Sequence, residues 1–213
     1  MSLFGKNEDT NKFFNLLNDL AKHTLDSIIE LELFLSRKDD LKIQDYVHKK
    51  DEMRVILKKI QEINVIIIDD IQNSFITPID REDIFNISNS FTELARYSYS
   101  TIDQLATFQV KITANMIKMI NHIKIQTEEL NIAVQRLSKN PRVATQHLNL
   151  VKTNEEMVER LYRKAIYNLF VDVTPEKLSE KLFKREVYRH IANMSDKAIS
   201  AAKVLGMIVM KLS

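Results

Sequence analysis

Glu155 is the residue that poses the sharpest chemical question in this chain. It belongs to the stripe Leu148, Val151, Glu155, Val158, Tyr162, Ala165, Leu169, which advances by three and four residues at a time. Its fellow members are apolar or aromatic. A carboxylate in such a line must be paired, protonated, bound to a metal or set at the edge of the seam, because burying it bare is costly. The other groups that titrate near neutrality are His23, His48, His122, His147 and His190. Glu186 and His190 stand four apart on one helical face, whereas di-iron helices use Glu-x-x-His, three apart, in two copies. That motif has no second copy here, and the histidines read as surface residues. Lys49, Lys50, Arg54, Lys58 and Lys59 form a basic run that could meet phosphates or anionic lipid; its default reading is a solvated helix face. No nucleophile constellation is present: no cysteine, no Gly-x-Ser-x-Gly, no phosphate loop and no His-Glu-x-x-His. A non-catalytic protein is expected.

The elements that must position these residues are long helices. Among 213 residues there are two glycines, Gly5 and Gly206, and three prolines, Pro78, Pro141 and Pro175. Scarce breakers mean few turns, and the fold class is all-α. Residues 1–10 are polar and expected to fray. The first helix runs from about Lys12 to Ser36 and the second from about Ile43 to Ser74. The third starts at Arg81 with Ile84, Ile87, Phe91 and Leu94. The fourth carries Ile112, Met116, Met119, Ile123 and Leu130, its methionines being core filler. Asn140-Pro141 caps and opens a fifth, to about Phe170. Thr174-Pro175-Glu176 restarts the chain into a sixth, to about Leu212, with a break between Leu178 and Lys184 compatible with the pattern. Val65-Ile66-Ile67-Ile68 sits inside the second helix, and its all-round apolar character implies burial on more than one side, at a helix crossing or a subunit contact. Arg81-Glu82 and Arg185-Glu186 each open a stripe, and the same offset pairs Ile87 with Ile191 and Asn89 with Asn193. Two similar three-helix units are expected, 1–108 and 109–213.

No run approaches the ~20 apolar residues that span a bilayer, and Met1 to Thr10 lacks a signal-peptide core. The expectation is a soluble, cytoplasmic protein. The net charge of +2 favours no partner class.

The connection between the second and third helices is the most distinctive string, Phe75-Ile76-Thr77-Pro78-Ile79-Asp80-Arg81-Glu82-Asp83-Ile84. Pro78 cannot continue a helix and pushes Thr77 toward extended backbone. Asp80 is placed to cap the next helix with its side chain, and Glu82 and Asp83 face the positive end of its dipole. With Leu169-Phe170 and Lys184-Arg185-Glu186-Val187-Tyr188, this string resembles the PhoU-like phosphate-transport regulators. The resemblance covers most of the chain.

That resemblance implies two tandem three-helix bundles and a cytoplasmic regulator, peripheral to the inner membrane through its partner. It implies contact with a phosphate transporter at the membrane's inner face and a sensor kinase as another partner class; homo-oligomers are expected from the apolar surplus at Val65 to Ile68, and no nucleic-acid partner is expected. It also implies a divalent or ferric metal ion held by acids four residues apart, which share one helical face. In the first half the family's acid positions fall on Leu57, Gln61, Thr92 and Arg96, none a carboxylate, with Glu93 adjacent. In the second half they fall on Glu155 and Glu159, and on Ala192, Asp196 and Ser200. The metal candidates implied are therefore Glu155, Glu159 and Asp196. A metal-binding bundle and a structural helical adaptor are the alternative readings.

Overall fold

A computed structural model describes residues 3–37, 41–171 and 177–213, with side chains from Lys12 onward. Six helices follow in order: α1 (Leu3–Ser36), α2 (Ile43–Asn73), α3 (Arg81–Phe108), α4 (Ala114–Leu137), α5 (Pro141–Phe170) and α6 (Leu178–Leu212). Among the described residues there are no strands.

The boundaries follow from local chemistry, with instructive departures. α1 begins at Leu3 rather than near Lys12. Polar residues such as Lys6 and Glu8 are good helix formers, and Gly5 alone costs only about 1 kcal/mol, too little to stop a helix already nucleated by packed residues downstream. α6 is continuous from Leu178. Lys184 bonds Glu180 one turn back at 3.2 Å, and Phe183 stacks on Phe108 with ring centres 5.1 Å apart, so the break that the pattern allowed is absent. The restart residues Thr174, Pro175 and Glu176 lie outside the described residues. α5 opens with Pro141 as expected, yet Asn140 makes no side-chain cap bond. Ile112 precedes α4 but is buried all the same; Thr113 is the cap, its hydroxyl accepting from Met116 N at 3.2 Å.

α1, α2 and α3 pack on one another, as do α4, α5 and α6. The two sets meet like on like, α1 against α4 and α3 against α6. One continuous core results, from Leu17, Leu20 and Ile28 through Ile87 and Phe91 to Ile120, Leu130, Ile191 and Leu205, all fully buried. The offset pair Ile87 and Ile191 is fully buried, one in α3 and one in α6. Buried polar groups fix the register at corresponding levels. Thr24 donates to the Phe91 carbonyl at 3.4 Å and Ser98 to Ser27 at 3.1 Å. In the second set Ser195 donates to Gln126 at 2.8 Å, and Gln126 to the Val151 carbonyl at 3.1 Å. Each bond exists in one register only, since a slip would strand its groups in an apolar core.

Val65 to Ile68 is helical, as expected, but only Ile67 enters the core. Val65 and Ile66 are exposed, so the patch is not buried on more than one side. α2 already has both its neighbours, and among the described residues no other helix packs on its outer face.

α3 ends on Gln109 at φ 50°, ψ 38°, with its N–H bonded to the Leu105 carbonyl. This left-handed cap is normally glycine, and a side chain there is strained. Gln109→Gly is expected to stabilise the protein by about 0.5–1 kcal/mol, measured by urea unfolding.

Candidate functional site

The distinctive connection is a mechanical joint. Asp80 stands at the N-cap of α3, but its side chain accepts no bond from the helix; its backbone carbonyl takes Ile84 N at 3.1 Å. The carboxylate is instead drawn to Lys211, at the far end of the chain. Lys211 Nζ donates to Asp80 at 2.6 Å and to Asp83 at 2.7 Å. These bonds, Asp80 first, hold the Lys211 pKa well above its ordinary value. A cation offers three donors and outcompetes a neutral backbone N–H for a carboxylate. Glu82 and Asp83 do occupy the first turn, and Asp83 is only 5% exposed. Arg81 reaches back to the carbonyl of Ser74, the residue that caps α2, at 2.5 Å. Ile79, in the same connection, is buried. Thr77 and Pro78 serve the turn. The joint therefore ties the start of α3 to the end of both α2 and α6.

The acids of the second half form a loose patch on the α5–α6 face. Glu155 is half-buried, at the seam's edge, and Asp196 is exposed. Burial raises the Glu155 pKa, with the charges of Asp196, Glu159 and Glu156 adding to it and Lys152 opposing. Though exposed, Asp196 is partly desolvated by its neighbours, which raises its pKa; Glu159 raises it further and Lys197 and Lys203 oppose. Glu159 itself turns to Arg163, which donates to it at 2.7 Å. Among the described residues, no three of His, Cys, Asp or Glu stand together as a metal-binding group. The corresponding first-half positions are filled otherwise. Leu57 and Thr92 are buried, Gln61 is exposed, and Arg96 pairs with Glu93 at 3.2 Å.

Two groups expected on the open surface have structural work instead. Of the basic run, Lys49 bonds Glu30 on α1 at 2.5 Å, Lys50 bonds Asp103 on α3, and Arg54 bonds Asp51 at 3.2 Å. Lys49 and Lys50 thus fasten α2 to both its neighbours. Only His48 among the histidines is strongly exposed. His147 meets Glu129 at 2.6 Å and His122 meets Asn154 at 2.8 Å, both across α4–α5. His190 is the most embedded. Its Nε2 lies 2.8 Å from Ser100 Oγ, Gln104 Nε2 donates to its Nδ1 at 3.1 Å, and its ring stacks on Tyr97 at 4.7 Å. Burial lowers its pKa, so the neutral ring dominates at pH 7. The clue to this pairing was on α3, where Ser100 and Gln104, four residues apart, mark a polar line down one flank.

No family model matches the chain. The UPF0111 protein YkaA of Bacillus subtilis strain 168 is 26% identical over 204 residues, which is 94% of this chain and 96% of that protein. A crystal structure of a PhoU-like protein from Shewanella oneidensis MR-1 superposes with a TM-score of 0.78 at 13% identity, over 93% of this chain and 99% of that one. A second from the same organism, a proposed PhoU-like phosphate regulatory protein, gives a TM-score of 0.75 at 13% identity and the same coverage. The fold is PhoU-like from end to end.

Two outcomes follow from the geometry. Asp83→Ala should cost about 1–3 kcal/mol, because a nearly buried charge-assisted bond is lost. Lys211→Met should also destabilise, by stranding that carboxylate, and the double variant should cost less than the two singles combined; denaturant unfolding of all four proteins reads this. At the acidic patch, the folded-state pKa of Glu155 lies above its unfolded value. The penalty is therefore absent below the unfolded pKa of about 4.3 and complete above the folded one. Glu155→Gln should raise the melting midpoint at pH 7, and the gain should vanish by about pH 4.

Proposed function

We propose that this protein is a non-catalytic accessory of inorganic phosphate transport, acting by protein–protein contact with a membrane phosphate transporter. The observation that carries the reading is the end-to-end match to the Shewanella fold described as PhoU-like phosphate regulatory. The match consumes nearly all of both chains, so the fold is the whole of what is shared. Among the described residues no helix is long and apolar enough to cross a membrane, so the membrane would be reached through the partner, from the cytoplasmic side. The same residues offer side chains that brace helices: His190, His147, Lys49 and Lys50 are all engaged in holding elements together. Surface contact is then the means of action left to such a bundle, on a transporter or on a sensor kinase. The units 1–108 and 109–213 are, on this reading, two copies of one three-helix design.

A second reading is favoured by one observation. Asp196, Glu159 and Glu156 add negative charge around Glu155, and a cation on that face would relieve it. Glu155, Glu159 and Asp196 would then hold a divalent or ferric ion loosely at the edge of α5 and α6.

One experiment separates these readings. The tagged protein is captured from native membranes, and metal is measured on the same sample alongside phosphate uptake in a deletion strain. Co-capture of a phosphate transporter with altered uptake is expected. Unchanged uptake without a transporter removes the regulator reading and leaves the helical adaptor. Metal that disappears in Glu155→Ala supports the cation.

A further inference from the structure

α1 and α4 run in opposite directions. Glu32, late in α1, meets Lys124, early in α4, and the early part of α1 faces the end of α4. Between these two ends lies a hollow of about 400 Å³, within the size range of small-molecule sites. Asn15 and Asn18 line it from α1, and Gln135, Arg136, Ser138 and Lys139 from α4 and the turn that follows. No Asp or Glu is among the residues that line it.

The charge around the hollow is one-sided. The chain as a whole is balanced, with 31 lysines and arginines against 29 acids. From Leu130 to Asn154, however, there is no acid at all, while Arg136, Lys139, Arg142 and Lys152 each bring a positive charge. Cations at the helix interfaces are engaged by partners: Lys124 by Glu32, Lys49 by Glu30, Lys211 by Asp80 and Asp83. Arg136 and Lys139 have no ion-pair partner among the described residues. The C-terminal end of a helix by itself disfavours an anion. That effect is blunted here, because the Arg136 carbonyl already accepts from Lys139 N at 3.2 Å and from Asn140 N at 2.8 Å.

The neutral groups indicate which anion fits. Asn18 Oδ1 is buried without a hydrogen-bond partner. No bond among the described residues fixes that amide, and a half-turn of its last torsion exchanges oxygen and nitrogen. Asn15, Asn18 and Gln135 each offer a donor and an acceptor, as does Ser138, whereas guanidinium and ammonium groups only donate. An oxyanion that keeps a proton uses both kinds of group. Its bare oxygens take the cations, and its hydroxyl donates to an amide oxygen. Hydrogen phosphate is such an ion near pH 7; sulfate has no proton to give.

We propose that the hollow between the start of α1 and the end of α4 binds hydrogen phosphate, with Arg136 and Lys139 as its charge partners and Asn18 as the amide that takes its hydroxyl. This deepens the phosphate-transport reading above and rests on it for its use: the protein would register the ion whose uptake it governs. The cations are exposed, and water and salt screen them, so the affinity is in the millimolar range.

Amide NMR shifts of the purified full chain test this, in titrations with inorganic phosphate against potassium chloride at equal ionic strength. Saturating shifts centred on Ser138 and Lys139 are expected with phosphate and not with chloride. Sulfate should bind about three- to tenfold more weakly, for want of one hydrogen bond. Arg136→Gln with Lys139→Gln should weaken phosphate binding by about tenfold or more. Asn15→Asp should weaken it as well, by setting a like charge in the hollow. These three positions are exposed, and an unchanged melting midpoint verifies the fold. Co-sedimentation with phosphatidylcholine vesicles, with and without phosphatidic acid, is run alongside, since a lipid headgroup offers the same phosphate. Binding confined to the phosphatidic acid vesicles overturns the free-ion site and assigns the hollow to a headgroup. Shifts equal to those with chloride, sulfate binding as strong as phosphate, or binding that survives the double variant overturns the proposal outright. Each of these results leaves transporter contact standing, because that contact is read by capture from membranes, and a failed capture leaves the titration unchanged.

Discussion

The seam between α3 and α6 is the constraint on which the rest of the molecule depends. It joins the two halves along nearly their full length. At one end Phe108 stacks on Phe183; midway His190 sits between Ser100 and Gln104 and against Tyr97; at the other end Lys211 spans Asp80 and Asp83. α1 and α4 close the same core from the other side, with Lys124 and Glu32 3.6 Å apart between them. Apolar burial supplies most of the driving force and is indifferent to register. The polar contacts of the seam supply the register. A slip of one turn would unstack both aromatic pairs and strand Asp83 in the interior.

This division of labour shapes what the surface can do. The inner helices α1, α3, α4 and α6 are committed to one another, whereas among the described residues α2 and α5 each pack on two neighbours only. Their outward sides differ in character. α2 offers Val55, Val65 and Ile66 with a balanced pair of charges, and α5 offers the acids Glu155 and Glu159 toward Asp196 on α6. A protein built this way acts through what its faces attract: apolar complement on one, positive charge on the other. The two halves are alike in the core, where Ile87 and Ile191 are both fully buried, and unlike on the faces, where Leu57 is core and Glu155 is edge.

Helix number, order and most boundaries were legible because they depend on neighbours in sequence. Periodicity, Pro78 and Pro141 place the elements without reference to packing, and the stripe through Ile84, Ile87, Phe91 and Leu94 foretold which face of α3 is buried. The edge position of Glu155 was among the readings that its stripe allowed. Where local reasoning failed, a distant partner had changed the balance. Asp80 is a sound cap by type and place, yet Lys211 takes its carboxylate. His190 and the lysines at 49 and 50 look like surface groups until α3 and α1 supply their partners.

By itself, then, the sequence determined an all-helical chain of six long segments and the junction at Thr77 to Ile84. These are properties of residue type and spacing. Tertiary structure alone decided that the junction clamps the C-terminal helix and that Glu159 turns to Arg163 rather than to Glu155. It also decided that Val65 and Ile66 face outward. Charges and exposed faces are settled by whatever approaches from elsewhere in the chain, and helical periodicity carries no record of that approach.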